Sequence, residues 1–93
     1  MLLPFRRYRA SGEINSRVQD QTGKVGELAA AFAQGRRDRT DGLTVEFDDW
    51  WFNVRPSNTE PLLRLNVEAR TEELLMAKTE EVLRIIREEG GES

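Results

Sequence analysis

The stretch Trp50-Trp51-Phe52-Asn53-Val54-Arg55-Pro56-Ser57-Asn58-Thr59-Glu60-Pro61-Leu62-Leu63-Arg64-Leu65-Asn66-Val67-Glu68-Ala69 reads as two strands around a polar connection. Successive side chains of a strand point to opposite faces. Trp50, Phe52 and Val54 therefore share one side of the strand Trp50–Val54, and Trp51, Asn53 and Arg55 the other. The strand Leu62–Ala69 repeats the pattern, with Leu63, Leu65, Val67 and Ala69 on one side and Leu62, Arg64, Asn66 and Glu68 on the other. One face of this pair is wholly apolar and needs a helical cover. The seven residues Arg55–Pro61 exceed the about two to five of most hairpin loops, and Pro56 and Pro61 stiffen both ends by fixing φ.

Between the prolines the connection is rich in hydrogen-bond donors. Arg55 offers a planar fork that matches two oxygens of a phosphate. Ser57 and Thr59 each offer an O–H and Asn58 two N–H groups, and backbone N–H groups in a tight turn can form an anion-binding concavity. Arg55, Ser57, Asn58 and Thr59 are thus candidate phosphate contacts. Glu60 is discordant, and its carboxylate is expected to turn away, back toward a strand arginine such as Arg64. Composition alone leaves an ordinary polar turn open, because Pro, Ser and Asn are turn residues in their own right and no Walker-type glycine spacing is present.

Outward from this pair, Leu43-Thr44-Val45-Glu46-Phe47 alternates with Leu43, Val45 and Phe47 inward, and Asp48-Asp49 turns the chain into Trp50. Arg36–Gly42 reads as a polar loop ending in the turn signal Asp41-Gly42. Before it, Val25, Leu28, Ala29, Phe32 and Ala33 form one helical stripe, which predicts a helix over Gln19–Gln34 with Asp20 or Thr22 as cap and Gly35 just past its end. Tyr8–Asn15 alternates in part, with Tyr8, Ala10, Gly12 and Ile14 on one side; Gly12 marks a bulge or a close backbone contact. After the pair, Thr71 caps a helix over Arg70–Glu89 whose apolar face is Leu74, Leu75, Val82, Leu83, Ile85 and Ile86, stopped by Gly90-Gly91. Residues 1–7 and 90–93 lack a pattern and are expected to be flexible ends. The order strand, helix, three strands, helix predicts a two-layer α+β domain over residues 1–93, with a four-stranded, mainly antiparallel sheet and both helices on one face.

The paired tryptophans do not make a sugar-stacking platform, since neighbours in a strand face opposite ways. At least one of them belongs to the core. The chain has no cysteine and no histidine, so thiolate and imidazole chemistry are excluded. No apolar run reaches the ~20 residues of a membrane span, and the expected location is the cytoplasm. Residues 1–40 hold eight Lys and Arg against four Asp and Glu, whereas residues 41–93 hold six against thirteen. The arginines at 6, 7 and 9 and at 36, 37 and 39 admit a small nucleic-acid-binding domain as one alternative, but no aromatic residues interleave them and the net charge of −3 opposes it.

The stretch Phe52–Glu68, together with Ser11-Gly12-Glu13-Ile14-Asn15-Ser16, resembles the C-terminal domain of the bacterial phosphomannomutase/phosphoglucomutase family of α-D-phosphohexomutases. The two blocks together hold 23 of the 93 residues and stand in the order expected of that domain. In phosphoglucosamine mutases the position of Asn58 is usually Gly, so the resemblance is to the mannose/glucose branch. The resemblance implies a TATA-binding-protein-like fold and a loop in which Arg55, Ser57, Asn58 and Thr59 grip the phosphate of a hexose phosphate during a reversible 1,6-phosphoryl shift. It implies upstream domains that carry a phosphoserine and bind Mg2+, and none of that machinery in this chain. Such an enzyme has roughly 350 or more residues upstream, at about 100–150 per domain. Gly12-Glu13-Ile14-Asn15 differs from the family's sugar-recognition Gly-Glu-x-Ser in having Asn for Ser. The isolated chain is expected to be inactive as a mutase; the competing reading is a stand-alone phosphate or phosphosugar module.

Overall fold

The computed structural model describes residues 8–39 and 42–88. In chain order the elements are β1 (Arg9–Ala10), β2 (Ile14–Arg17), α1 (Gln21–Ala31), β3 (Arg36–Asp38), β4 (Leu43–Glu46), β5 (Trp50–Pro56), β6 (Leu62–Ala69) and α2 (Glu72–Arg87). The α+β class holds. Its antiparallel sheet runs β1–β6–β5–β4–β3, with β2 also paired to β6. Six strands replace the four expected, for two separate reasons.

The first strand is split. Arg9 and Ala10 pair with Ala69 and Glu68, whereas Ile14–Arg17 pair with Leu65–Leu62. One extra residue therefore sits on the β1–β2 side, and Gly12 takes it up at φ 77°. Ser11 repairs the interrupted ladder: its N–H donates to Val67 O at 2.8 Å, and its Oγ accepts from Val67 N–H at 3.0 Å. The slip changes the inward set. Ile14 and Ser16 oppose the core residues Leu65 and Leu63, while Ala10 opposes Glu68, so Ala10 does not share a face with Ile14 as alternation alone suggests.

The second addition is β3, which lies within the segment read as a loop. Arg36, Arg37 and Asp38 are all exposed and pair with Glu46, Val45 and Thr44. An edge strand with both faces wet carries no apolar alternation by which to recognise it.

Both helices cover one face of the sheet. Val25, Leu28, Ala29 and Phe32 on the α1 side and Val82 and Ile86 on α2 join the inward residues of β4, β5 and β6 in one core. Trp50 is buried in it, stacked on Phe47 at 4.9 Å with Phe32 edge-on at 5.6 Å. Helix α1 is shorter than Gln19–Gln34. Asp20 caps it, accepting from Gly23 N–H at 3.0 Å, and Ala33 lies exposed beyond its end. Gly35 does not take the left-handed conformation expected just past a helix; a Cβ there would meet Val45 Cγ1 at 2.5 Å and the Phe47 ring, so it marks close approach to the sheet. Helix α2 starts as predicted, with Thr71 Oγ1 accepting from Leu74 N–H at 3.1 Å. Its far end is fastened by Lys24, a buried cation on α1 whose Nζ donates to Ile85 O at 2.9 Å and Glu88 O at 2.7 Å. The expectations for residues 1–7 and 90–93 and for Asp41 lie outside the described residues. Among the described residues no helix is long and apolar enough to cross a membrane.

Candidate functional site

The connection between the two longest strands narrows to residues 57–61, because β5 continues through Pro56 and Ser57 N–H donates to Leu62 O at 3.0 Å. Arg55 thus belongs to the strand. It stands on the helix-free face of the sheet, directly opposite Arg64 of β6, with Asn15 of β2 the next residue in the same row and Arg17 further along β2. Like charges placed opposite one another across a ladder are unfavourable.

Gly42 supports this geometry from β4's side. Its φ is 79°, and a Cβ there would meet Arg55 Cγ and Val54 O, each at 2.5 Å. The Arg55 stem therefore lies against a backbone that only glycine leaves open.

Within the loop, Ser57 is buried and turned inward. Its Oγ accepts from Thr59 N–H and Glu60 N–H, each at 3.3 Å, and lies 3.4 Å from Thr59 Oγ1. Ser57 shapes the turn while keeping one O–H to donate. Asn58 and Thr59 are exposed at the tip. Neither the backbone N–H nor the carboxamide of Asn58 makes a hydrogen bond among the described residues. Glu60 is exposed, and its carboxylate forms no ion pair among the described residues, so the expected return toward Arg64 is not made.

Gln21, the first residue of α1, holds the loop from beneath. Its Nε2 lies 2.8 Å from Leu62 O, 3.0 Å from Ser57 O and 3.2 Å from Glu60 O. Nothing in the sequence around Gln21 marks it, because its partners are 36 to 41 residues away.

The four residues read from the sequence fall together at one end of the sheet. The arginines of β3 do not join them: Arg36 opposes Glu46, whose own β5 partner is Trp51, at the end away from the loop. Trp50 is core and Trp51 half-buried on the open face, so the pair forms no common platform. Among the described residues no three Asp, Glu, His or Cys side chains gather as a metal site.

The family model for the phosphoglucomutase/phosphomannomutase C-terminal domain matches residues 13–85, from the bulge to the last turns of α2. The chain belongs to this family. Its relatives include a phosphomannomutase of Salmonella montevideo, 49% identical over 82 residues, which are 85% of this chain and 18% of that protein. A phosphomannomutase of Methanocaldococcus jannaschii is 44% identical over 82 residues, 88% of this chain and 18% of the relative. A probable phosphoglucosamine mutase of Pyrococcus horikoshii is 35% identical over 79 residues, 82% of this chain and 17% of the relative. This mutase-family domain thus spans under a fifth of the length of those three proteins.

Proposed function

We propose that this domain is the phosphate-gripping part of a phosphohexomutase acting on glucose or mannose phosphates. In this reading Arg55, Ser57, Asn58 and Thr59 hold the phosphate that is not reacting, and Arg64 adds a second guanidinium. The observation that carries the reading is the Arg55–Arg64 pair set beside a loop whose Asn58 N–H and carboxamide make no hydrogen bond among the described residues. The role of the chain is positioning: a bidentate guanidinium and fixed N–H groups hold one end of the sugar bisphosphate so that the other end meets the reacting groups. Those reacting groups, and the Mg2+ that assists them, belong to upstream domains of such an enzyme. The donor set here suits an anion and not a hard cation, which takes oxygen ligands. The domain by itself transfers no phosphoryl group.

The test is an amide-resolved NMR titration of the domain with glucose 1-phosphate. The amides of Arg55 to Glu60 move and those of α2 do not, with a dissociation constant of ~1 mM or weaker, the strength that one or two charge-assisted bonds leave after binding costs. Arg55→Ala abolishes the response, and Arg55→Lys recovers little, since a point charge does not replace a fork. Shifts centred on Arg36–Arg39, or shifts unchanged in Arg55→Ala, reject the reading.

A further inference from the structure

We infer that Gln21 is a positioning residue, which aims the Asn58 backbone N–H at the bound phosphate by holding the Ser57 carbonyl inward. The inference rests on the phosphate-binding reading of the loop. A carboxamide nitrogen carries two hydrogens, and Gln21 Nε2 meets three carbonyl oxygens, at 2.8, 3.0 and 3.2 Å. One side chain thus bridges the first residue of the loop, its fourth, and the first residue of β6.

The consequence follows from peptide geometry. The C=O of one residue and the N–H of the next lie in one trans plane and point opposite ways. With Ser57 C=O drawn toward Gln21, Asn58 N–H points away from the domain. Glu60 C=O is also drawn inward, but the residue after it is Pro61, which has no N–H. The peptide after Leu62 leads into β6, within the paired strands. Of the three carbonyls that Gln21 holds, only that of Ser57 leaves an N–H outside the ladder. That N–H makes no hydrogen bond among the described residues. The other exposed amides of the tip, Thr59 and Glu60, are turned inward to Ser57 Oγ. Asn58 N–H is therefore the backbone donor that the loop presents outward, and its direction is set from α1.

The experiment uses inorganic phosphate as probe and the Asn58 amide as reporter. Four proteins are compared by NMR titration: wild type, Gln21→Met, Gln21→Lys and Arg55→Ala. Methionine keeps the reach of the side chain and removes both N–H donors. Lysine supplies N–H donors again. In wild type the Asn58 amide proton moves downfield and furthest of the backbone amides. In Gln21→Met the Asn58 response falls several-fold and the dissociation constant rises roughly tenfold, the loss of about one hydrogen bond. The Arg55 response remains. Gln21→Lys restores the Asn58 response. A residue that only stabilises the fold leaves the Asn58 response of the folded protein unchanged. If Gln21→Met does not fold, Gln21→Asn, which stops one methylene short, carries the same comparison. A wild-type Asn58 response that survives in Gln21→Met, or in Gln21→Asn where that variant stands in for it, overturns the role of Gln21 while leaving the phosphate site standing. No wild-type response between Arg55 and Glu60, or one indifferent to Arg55→Ala, overturns the phosphate site and this inference with it.

Discussion

Replacing Lys24 by methionine removes a buried ammonium while keeping most of the stem that packs between the helices. Lys24 is 8% exposed and donates to Ile85 O and Glu88 O at the C-terminal end of α2. Hydrogen bonds to a charged group are each worth about 1.5–3 kcal/mol, and a cation at the negative end of a helix adds about 0.3–1 kcal/mol. Two terms work against these. Methionine is relieved of the desolvation that the ammonium bears, and the freed carbonyls are not fully stranded. Ile85 O still accepts from Glu88 N–H at 3.3 Å, and Glu88 is exposed to water. The ion pair with Glu27, which is 53% exposed, adds little. The expected net loss is about 2–3 kcal/mol, or roughly 10–20 °C in Tm for a domain of this size. Urea unfolding gives the free energy, and hydrogen exchange locates it: the amides of the last turn of α2 lose protection before those of β5 and β6. A loss below ~0.5 kcal/mol, the level of an ordinary surface substitution, refutes the reasoning that Lys24 couples the two helices.

Gly42→Ala forces a Cβ onto the Val54 carbonyl and the Arg55 stem at positive φ; urea unfolding should register a loss of about 2–4 kcal/mol, and the phosphate response of Arg55 should weaken with it. Ser16 is buried and its Oγ has no hydrogen-bond partner among the described residues. Ser16→Ala should therefore raise stability by about 0.5–1 kcal/mol in the same assay, and a clear loss would mean that the hydroxyl is bonded. The loop offers donors for a phosphate and no group assigned to sugar hydroxyls, so glucose 1-phosphate, glucose 6-phosphate and mannose 6-phosphate should bind this domain within roughly threefold of one another, under about 0.7 kcal/mol. A clear preference between the 1- and 6-phosphates would show that the domain reads more than phosphate.

Features that depend on near neighbours were legible in the sequence. The alternation of Leu43–Glu46, Trp50–Val54 and Leu62–Ala69 lies within each strand, and Thr71 reaches Leu74 within one turn. Arg55, Ser57, Asn58 and Thr59, the residues of the proposed site, read as a donor-rich cluster because they lie within five positions of one another. What escaped depends on partners far along the chain. The apolar spacing of Tyr8–Asn15 carries no sign that Ser11 would use its own Oγ to bridge a one-residue slip. Backbone pairing makes Arg36–Asp38 a strand without any hydrophobic pattern. Gln21 and Gly42 act on the loop and on Arg55 across 36 and 13 residues of sequence, and neither carries a local signature of that role.

The bulge at Gly12 and the charged residues of β3 stand at opposite borders of the sheet. A sheet border is where a second chain adds by strand pairing, which begins fibre growth. On one side the recruiting segment is two short pieces out of phase by one residue, so an incoming strand in register with β2 is out of register with β1. On the other, three residues long, an incoming strand meets two arginines and an aspartate. Both borders thus discourage self-templated polymerisation, which lets the strongly apolar strands β5 and β6 be placed side by side in the centre. Straightening the first border, by deleting one residue between Ser11 and Ile14, would make it a continuous template.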